Sequence, residues 1–293
     1  MSLARYAPVL DAVRGIGWPA LRRAKSAVAG PHLSTVRGTS TEFVEHRPYR
    51  QGDDPRRIDW KLVARTNRVY IRVSQDRTML PTMLVVDASA SMAFPTATYA
   101  KWELARQLAV GLAAVARHRG DPVGLAVASS TGSRLIPPRT RRTVLDEMMH
   151  ALELAPDSEV ALAPAALDAM RRAARVVFIT DFLGDAEALL ASAKTFVATG
   201  KELYAIHVVD RGELDPDPKK LLLSDPEHPA VRRPMSPPAR AAYLRRFTDW
   251  RTTLASDVRA IGAVYAMVVP GDEPMRGVLR RITTPPGMGR RIG

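Results

Sequence analysis

Leu84-Val85-Val86-Asp87-Ala88-Ser89-Ala90-Ser91-Met92 decides how this chain is read, because an uninterrupted apolar run empties into three oxygen-bearing side chains. Met83 to Val86, aliphatic and β-branched without a polar break, predicts a central strand buried on both faces. A carboxylate at the C-terminal end of such a strand lies where open α/β sheets bind ligands. Asp87, Ser89 and Ser91 alternate along the chain, so a turning loop can bring them to one point. Mg²⁺ asks for near-octahedral oxygen ligands and takes one or two carboxylates from a protein. In that reading Asp87 supplies charge and the serines supply neutral ligands. Asp and Ser are also favoured helix N-caps, so the loop by itself leaves cap and cation site both open.

A second buried run, Val176-Val177-Phe178-Ile179, again ends in a carboxylate, at Thr180-Asp181. Two strands ending in Asp would place two carboxylates on one crevice at the edge of a parallel sheet. Between and beyond them strands and helices alternate. Tyr99 to Arg117 is amphipathic with Trp102, Leu104, Leu108, Leu112 and Val115 near 3.6 spacing, and Val123 to Ala128 follows as a strand. Helices are expected at Arg141 to Leu154, Ala163 to Ala173, Ala186 to Ala198 and Ala239 to Ile261, and strands at Leu203 to Val209 and Ala263 to Val269. This alternation argues for a doubly wound α/β fold, a mostly parallel sheet flanked by helices with an N-terminal extension packed on it.

Four segments follow from composition. Residues 1–36 read as a helical arm or tail and 79–283 as the α/β domain, with an irregular, proline-rich insertion at 210–238. Residues 284–293 read as a loose tail. Residues 37–78 are dense in polar side chains without periodicity: Arg47, Tyr49, Gly52, Asp53, Asp54, Arg56, Arg57, Asp59, Trp60 and Arg65. Aromatic rings interleaved with both charge signs suggest a segment packed through arginine–carboxylate pairs, and equally a docking face for a partner.

The 293 residues carry 43 Lys+Arg, mostly arginine, against 30 Asp+Glu, a net charge of +13 that favours acidic partners. The absence of cysteine excludes disulfides and thiolate chemistry and fits a reducing cytoplasm. No apolar run reaches the ~20 residues a bilayer-spanning helix requires. The expected location is the cytoplasm, with peripheral placement at the inner membrane face as its extension. A haloacid-dehalogenase-like, Mg-dependent hydrolase using Asp87 would need a second aspartate two residues on, where Ser89 stands. No nucleophile elbow surrounds the serines and no phosphate-binding loop exists, so ATP chemistry must belong to a partner. Binding to nucleic acid or an anionic surface rests on basic clusters at Arg22, Arg23, Lys25 and Arg37 and at Arg240, Arg245, Arg246 and Arg251. Acids are interspersed and stacking platforms are not evident, so nucleic acid is not the expected partner.

Asp87-x-Ser89-x-Ser91 followed by Thr180-Asp181 resembles the metal-ion-dependent adhesion site of von Willebrand factor type A domains. Gly38 to Phe43, the run Arg47 to Trp60 and Ala64-Arg65, placed just ahead of that loop, resemble the domain-of-unknown-function 58 family. The resemblance implies Mg²⁺ held by Asp87, Ser89, Ser91 and Asp181. It also implies a non-enzymatic adaptor that works with a MoxR-type AAA+ ATPase in protein maturation or remodelling. The family's second loop ordinarily contributes a threonine. Here it reads Pro156-Asp157-Ser158-Glu159-Val160-Ala161-Leu162, so either Ser158 offers a substitute hydroxyl or Asp157 or Glu159 a carboxylate, and Phe182 stands where a glycine is usual.

Overall fold

Strand β3 (Thr82–Asp87) is buried at every residue, and the rest of the main sheet is arranged around it. In the computed structural model, which describes residues 2–21, 43–51, 53, 55–74, 79–129, 132–156, 160–184, 186–217, 222–224 and 232–284, β3 lies between two parallel neighbours. These are β4 (Val123–Ser129) and β6 (Arg175–Thr180). Beyond β6 come β7 (Glu202–Val208) and β10 (Val264–Val268), also parallel. Beyond β4 comes β5 (Gly132–Arg139), which runs antiparallel because it follows β4 directly. The order is β10-β7-β6-β3-β4-β5.

Side chains alternate across a strand, so neighbouring residues serve opposite cores. Leu84 and Val86 face a core shared with α1 (Ser2–Ala12), α3 (Ala100–His118), α4 (Val144–Ala151) and α9 (Met275–Thr283). Met83 and Val85 face the other core, with α5 (Ala163–Arg172), α6 (Ala186–Ala198) and α8 (Pro237–Ala260). A three-layer, mostly parallel α/β fold results. Gly111 of α3 lets its neighbours approach closely: a Cβ there would lie 3.0 Å from Leu279 of α9 and 3.1 Å from Val9 of α1.

The chain divides into two compact units, Met1–Leu21 with Leu80–Gly293, and Arg22–Met79. In the larger unit the N-terminal residues join the core through Tyr6, Val9, Val13, Ile16 and Trp18. They are secured at the base of the sheet by Arg175, which is fully buried. Its guanidinium lies over the Trp18 ring at 4.3 Å and donates to Glu202 Oε2 at 2.8 Å and to the Pro19 carbonyl at 3.3 Å. Glu202 Oε1 in turn accepts from the Leu21 N–H at 2.6 Å.

The insertion expected to be irregular contains structure. Asp210 and Glu213 form a capping box that starts the short helix α7 (Arg211–Leu214), and β8 (Leu222–Ser224) pairs antiparallel with β9 (Arg232–Pro234). Proline excludes long elements there, but reciprocal capping satisfies a single helical turn. Among the described residues no helix is long and apolar enough to cross a membrane.

In the smaller unit β1 (Phe43–Pro48) pairs antiparallel with β2 (Tyr70–Ser74), and the chain between them carries a 3₁₀ turn at Pro55–Arg57 and helix α2 (Trp60–Thr66).

Removing one partner of a buried ion pair leaves an uncompensated charge in a low-dielectric interior. Glu202→Ala, which leaves Arg175 with only the longer Asp121 contact at 3.8 Å and frees the Leu21 N–H, is expected to lower unfolding free energy by about 3 kcal/mol. Chemical denaturation checks it, and a loss below about 1 kcal/mol would refute the anchoring role.

Candidate functional site

Asp87 ends β3 and Thr180 ends β6, its neighbour, so the sheet places the first and third loops side by side. The Thr180 hydroxyl donates to Asp87 Oδ2 at 2.7 Å and accepts from the Phe182 N–H at 3.0 Å, tying the two loops together. Asp87 Oδ1 accepts from the Ser89 N–H at 2.9 Å, and the hydroxyls of Ser89 and Ser91 are 3.0 Å apart. Asp87, Ser89, Ser91 and Asp181 are all buried. Ser89 precedes the 3₁₀ turn Ala90–Ala93 without a side-chain capping bond, so the capping alternative is not what its hydroxyl does.

Asp181 is engaged from every side. Its Oδ2 accepts from Lys101 Nζ at 2.6 Å and its Oδ1 from the Leu183 N–H at 3.1 Å. Lys101, fully buried on α3, donates as well to Glu213 Oε1 at 2.9 Å. Glu213 Oε2 closes the capping box by accepting from the Asp210 N–H at 2.7 Å, and the Tyr243 hydroxyl of α8 donates to the Glu213 carbonyl at 2.9 Å. One ammonium group thus joins the third loop to α7.

Lys101 and Glu213 are the site residues that sequence reasoning missed. The signal for Lys101 is its register: it shares a helical face with Leu104, Ala105, Leu108 and Leu112, where a charge must find a buried partner.

The electrostatics follow from burial and charge. Burial and the adjacent Asp181 charge push the Asp87 carboxyl up to about 6, against the lowering effect of the Thr180 and Ser89 hydrogen bonds. Burial would raise Asp181 too, but Lys101 and Ser91 outweigh it and hold Asp181 below the ordinary carboxylate value. Burial alone would lower Lys101, yet Asp181 and Glu213 together raise it, so it stays charged. Behind the site His207 is pushed down to about 3 by burial and stays neutral, its Nδ1 2.7 Å from the Tyr265 hydroxyl.

A cleft of about 310 Å³ opens above Asp87, Ser89 and Thr180, walled by Val160, Leu162 and Phe182. Phe182 has a left-handed backbone at φ 58°, where a side chain costs about 1–2 kcal/mol. Edge-to-face packing on His207, with ring centroids 5.7 Å apart, holds it there. The second loop presents only aliphatic side chains to the cleft at Val160, Ala161 and Leu162, while Asp157, Ser158 and Glu159 lie outside the described residues.

In octahedral Mg²⁺ coordination at 2.0–2.1 Å, adjacent ligand oxygens are about 2.9 Å apart. The 3.0 Å between the two serine hydroxyls matches that edge. No cluster of three or more His, Cys, Asp or Glu able to hold a metal exists among the described residues, so any cation here depends on the hydroxyls.

The residues of the 37–78 signature sort into two groups. Arg47 donates to Asp53 at 2.7 Å, and Asp53 also accepts from the Arg50 N–H at 2.8 Å; these two bonds hold the Asp53 carboxyl below its ordinary value. Tyr49, half-buried, donates its N–H to the Val69 carbonyl. Asp59 is buried, caps α2 through the N–H groups of Lys61 and Leu62, and lies 3.0 Å from His46 Nε2. Arg56, Arg65 and Trp60 face outward, Trp60 with 67% of its surface exposed. Gly52, Asp54 and the Arg57 side chain lie outside the described residues.

Two outcomes follow from the buried charges. Lys101→Met is expected to destabilise the fold by about 3–5 kcal/mol at neutral pH, with part of the loss recovered by adding Asp181→Asn. A thermal or denaturant double-mutant cycle measures it, and additive losses would contradict the pairing. Asp87 binds its proton more tightly folded than unfolded, so it favours the folded state below pH 4 and that contribution is lost as pH rises through 6. In chelator, Asp87→Asn should therefore gain on the unsubstituted protein between pH 4 and 7, by up to about 3 kcal/mol; a pH-independent gap would refute this.

Comparison with known proteins places the chain. It is 32% identical over 243 residues to Uncharacterized protein Rv1480 of Mycobacterium tuberculosis, across 80% of this chain and 76% of the relative. The same figures hold for Uncharacterized protein Mb1516 of Mycobacterium bovis. Similar solved structures include conserved hypothetical protein BatB from Bacteroides thetaiotaomicron, at 15% identity and TM-score 0.47 over 69% of this chain and 96% of that one. Another is the SpRpn10 VWA domain, at 12% identity and TM-score 0.40 over 71% and 96%. The model of the family described as Protein of unknown function DUF58 matches residues 45–253, and the chain belongs to that family.

Proposed function

We propose that the protein is a non-enzymatic interaction module whose Asp87-x-Ser89-x-Ser91 loop binds a partner protein through a divalent cation. The observation that carries the reading is that Asp87 and Ser89 lie at the floor of a cleft with aliphatic and aromatic walls, with the Ser91 hydroxyl 3.0 Å behind that of Ser89. Asp87 would hold Mg²⁺ with the two hydroxyls, and Mg²⁺ would supply positive charge for a partner's carboxylate at the cleft mouth. Asp181, whose oxygens are taken up by Lys101 and the Leu183 N–H, would stand behind the cation's ligands as a paired charge. Lys101 keeps Asp181 ionised. Thr180 sets the direction in which Asp87 presents its free lone pairs.

Charge balance supports a cation at this place. Asp87 and Asp181 repel each other, and Lys101 is already shared between Asp181 and Glu213. A divalent ion beside Asp87 relieves the repulsion. The partner we assign is a MoxR-type AAA+ ATPase or its client, on the strength of the family resemblance, and the work is protein maturation or remodelling.

Magnesium at millimolar concentration is expected to raise the melting temperature of the protein, and to do so far less in Asp87→Ala or the Ser89→Ala/Ser91→Ala pair. A titration with the cognate ATPase is expected to be chelator-sensitive and to lose at least about tenfold in affinity in Asp87→Ala. Binding equal in magnesium, in chelator and in the variant would overturn the metal-bridged reading.

A further inference from the structure

Helix α2 is held from one end and presented on the other side. Asp59 caps it, His46 and the strand pair β1–β2 hold Asp59 in place, and the Asp59 N–H donates to the Tyr70 carbonyl at 2.9 Å. The Ile58–Ile71 bridge continues that attachment. None of the α2 residues is buried. Leu62 and Val63 are half-covered, while Trp60, Lys61, Ala64 and Arg65 are exposed. Positions i, i+1, i+4 and i+5 of a helix form one contiguous patch, so an indole, a methyl group and two cations share a single face.

Two features separate this face from an ordinary solvated one. An indole with 67% of its surface in water gains nothing for the fold, whereas Trp and Arg dominate the energetics of protein interfaces. Among the described residues neither Lys61 nor Arg65 forms an ion pair, so no carboxylate of the described residues neutralises the two cations beside the indole. The whole chain carries +13, which disfavours a second copy of itself and steers acidic partners toward it.

We infer that Trp60, Lys61, Ala64 and Arg65 form a docking surface for an acidic segment of a partner protein, with an apolar side chain of that segment seated on the indole. Trp60 is the anchor, and Lys61 with Arg65 pairs with carboxylates beside it. The cap at Asp59 pre-organises the helix, which lowers the entropy lost on binding. A protein segment fits better than a nucleic acid strand. Trp60 is the sole exposed aromatic ring among the described side chains of residues 22–79, whereas single strands are bound by successive stacking platforms along a basic groove. This surface needs no metal, so its behaviour is separable from that of the Asp87 site.

The test uses the full chain and a fluorescein-labelled amphipathic peptide of Glu, Ala and Leu, followed by anisotropy at moderate salt. The peptide should bind saturably, and Trp60→Ala and Lys61→Glu/Arg65→Glu should each weaken it about tenfold or more. Lys194→Glu, an exposed charge change on α6, and added chelator should leave binding unchanged. Circular dichroism and melting temperature should be the same in Trp60→Ala as in the unsubstituted protein. Bound peptide should protect tryptophan from acrylamide quenching, since Trp18 and Trp102 are buried. Absence of binding, binding indifferent to Trp60→Ala, or tighter Trp60-dependent binding of a twelve-nucleotide oligothymidine would each overturn the inference.

Discussion

A single ammonium group, Lys101 Nζ, makes the loop arrangement above the sheet tenable. Parallel strands buried on both faces put Asp87 and Asp181 at adjacent ends, where neither carboxylate has bulk water to solvate it. Lys101 neutralises one of them at 2.6 Å and reaches Glu213 at 2.9 Å. It leaves the other, Asp87, supported by the Thr180 hydroxyl and the Ser89 N–H, with no ion pair among the described residues. The division of labour is electrostatic: one carboxylate is paired with a buried cation, and the other is held by neutral donors.

The same contact links elements distant in the chain. α3 supplies the lysine, the β6 loop supplies Asp181, and α7 supplies Glu213, whose second oxygen completes its own helix cap. Tyr243 then ties α8 to that turn. At the opposite edge of the sheet Arg175 performs a comparable task, joining Glu202 and the ring of Trp18 so that the N-terminal residues close the core. The two networks stand at the two ends of β6, one securing the fold and the other shaping the candidate site.

The smaller unit follows a different logic. Its charged residues divide by exposure: Arg47, Asp53 and Asp59 are consumed in capping turns and helix, while Trp60, Lys61 and Arg65 are turned to solvent on a braced helix. A signature rich in arginine and aromatic side chains is thus part scaffold and part surface. Internal packing accounts for Arg47, Asp53 and Asp59, while Trp60 and Arg65 are exposed.

Periodicity and strand-end chemistry made much of this legible. The unbroken run before Asp87 and its counterpart before Asp181 identified two central strands and the loops that follow them, because alternation and burial are local properties of a strand. The resemblance supplied the adhesion-type loop and the family. The amino-acid sequence alone did not show that Lys101 is the counter-ion of Asp181, since 80 residues separate them and only packing brings them together. Nor did it show the structured α7 turn inside a proline-rich insertion, or which signature residues face water. Those depend on which long-range contacts compete best for each charge, and a buried charge is placed by the three-dimensional arrangement of its partners rather than by its neighbours along the chain.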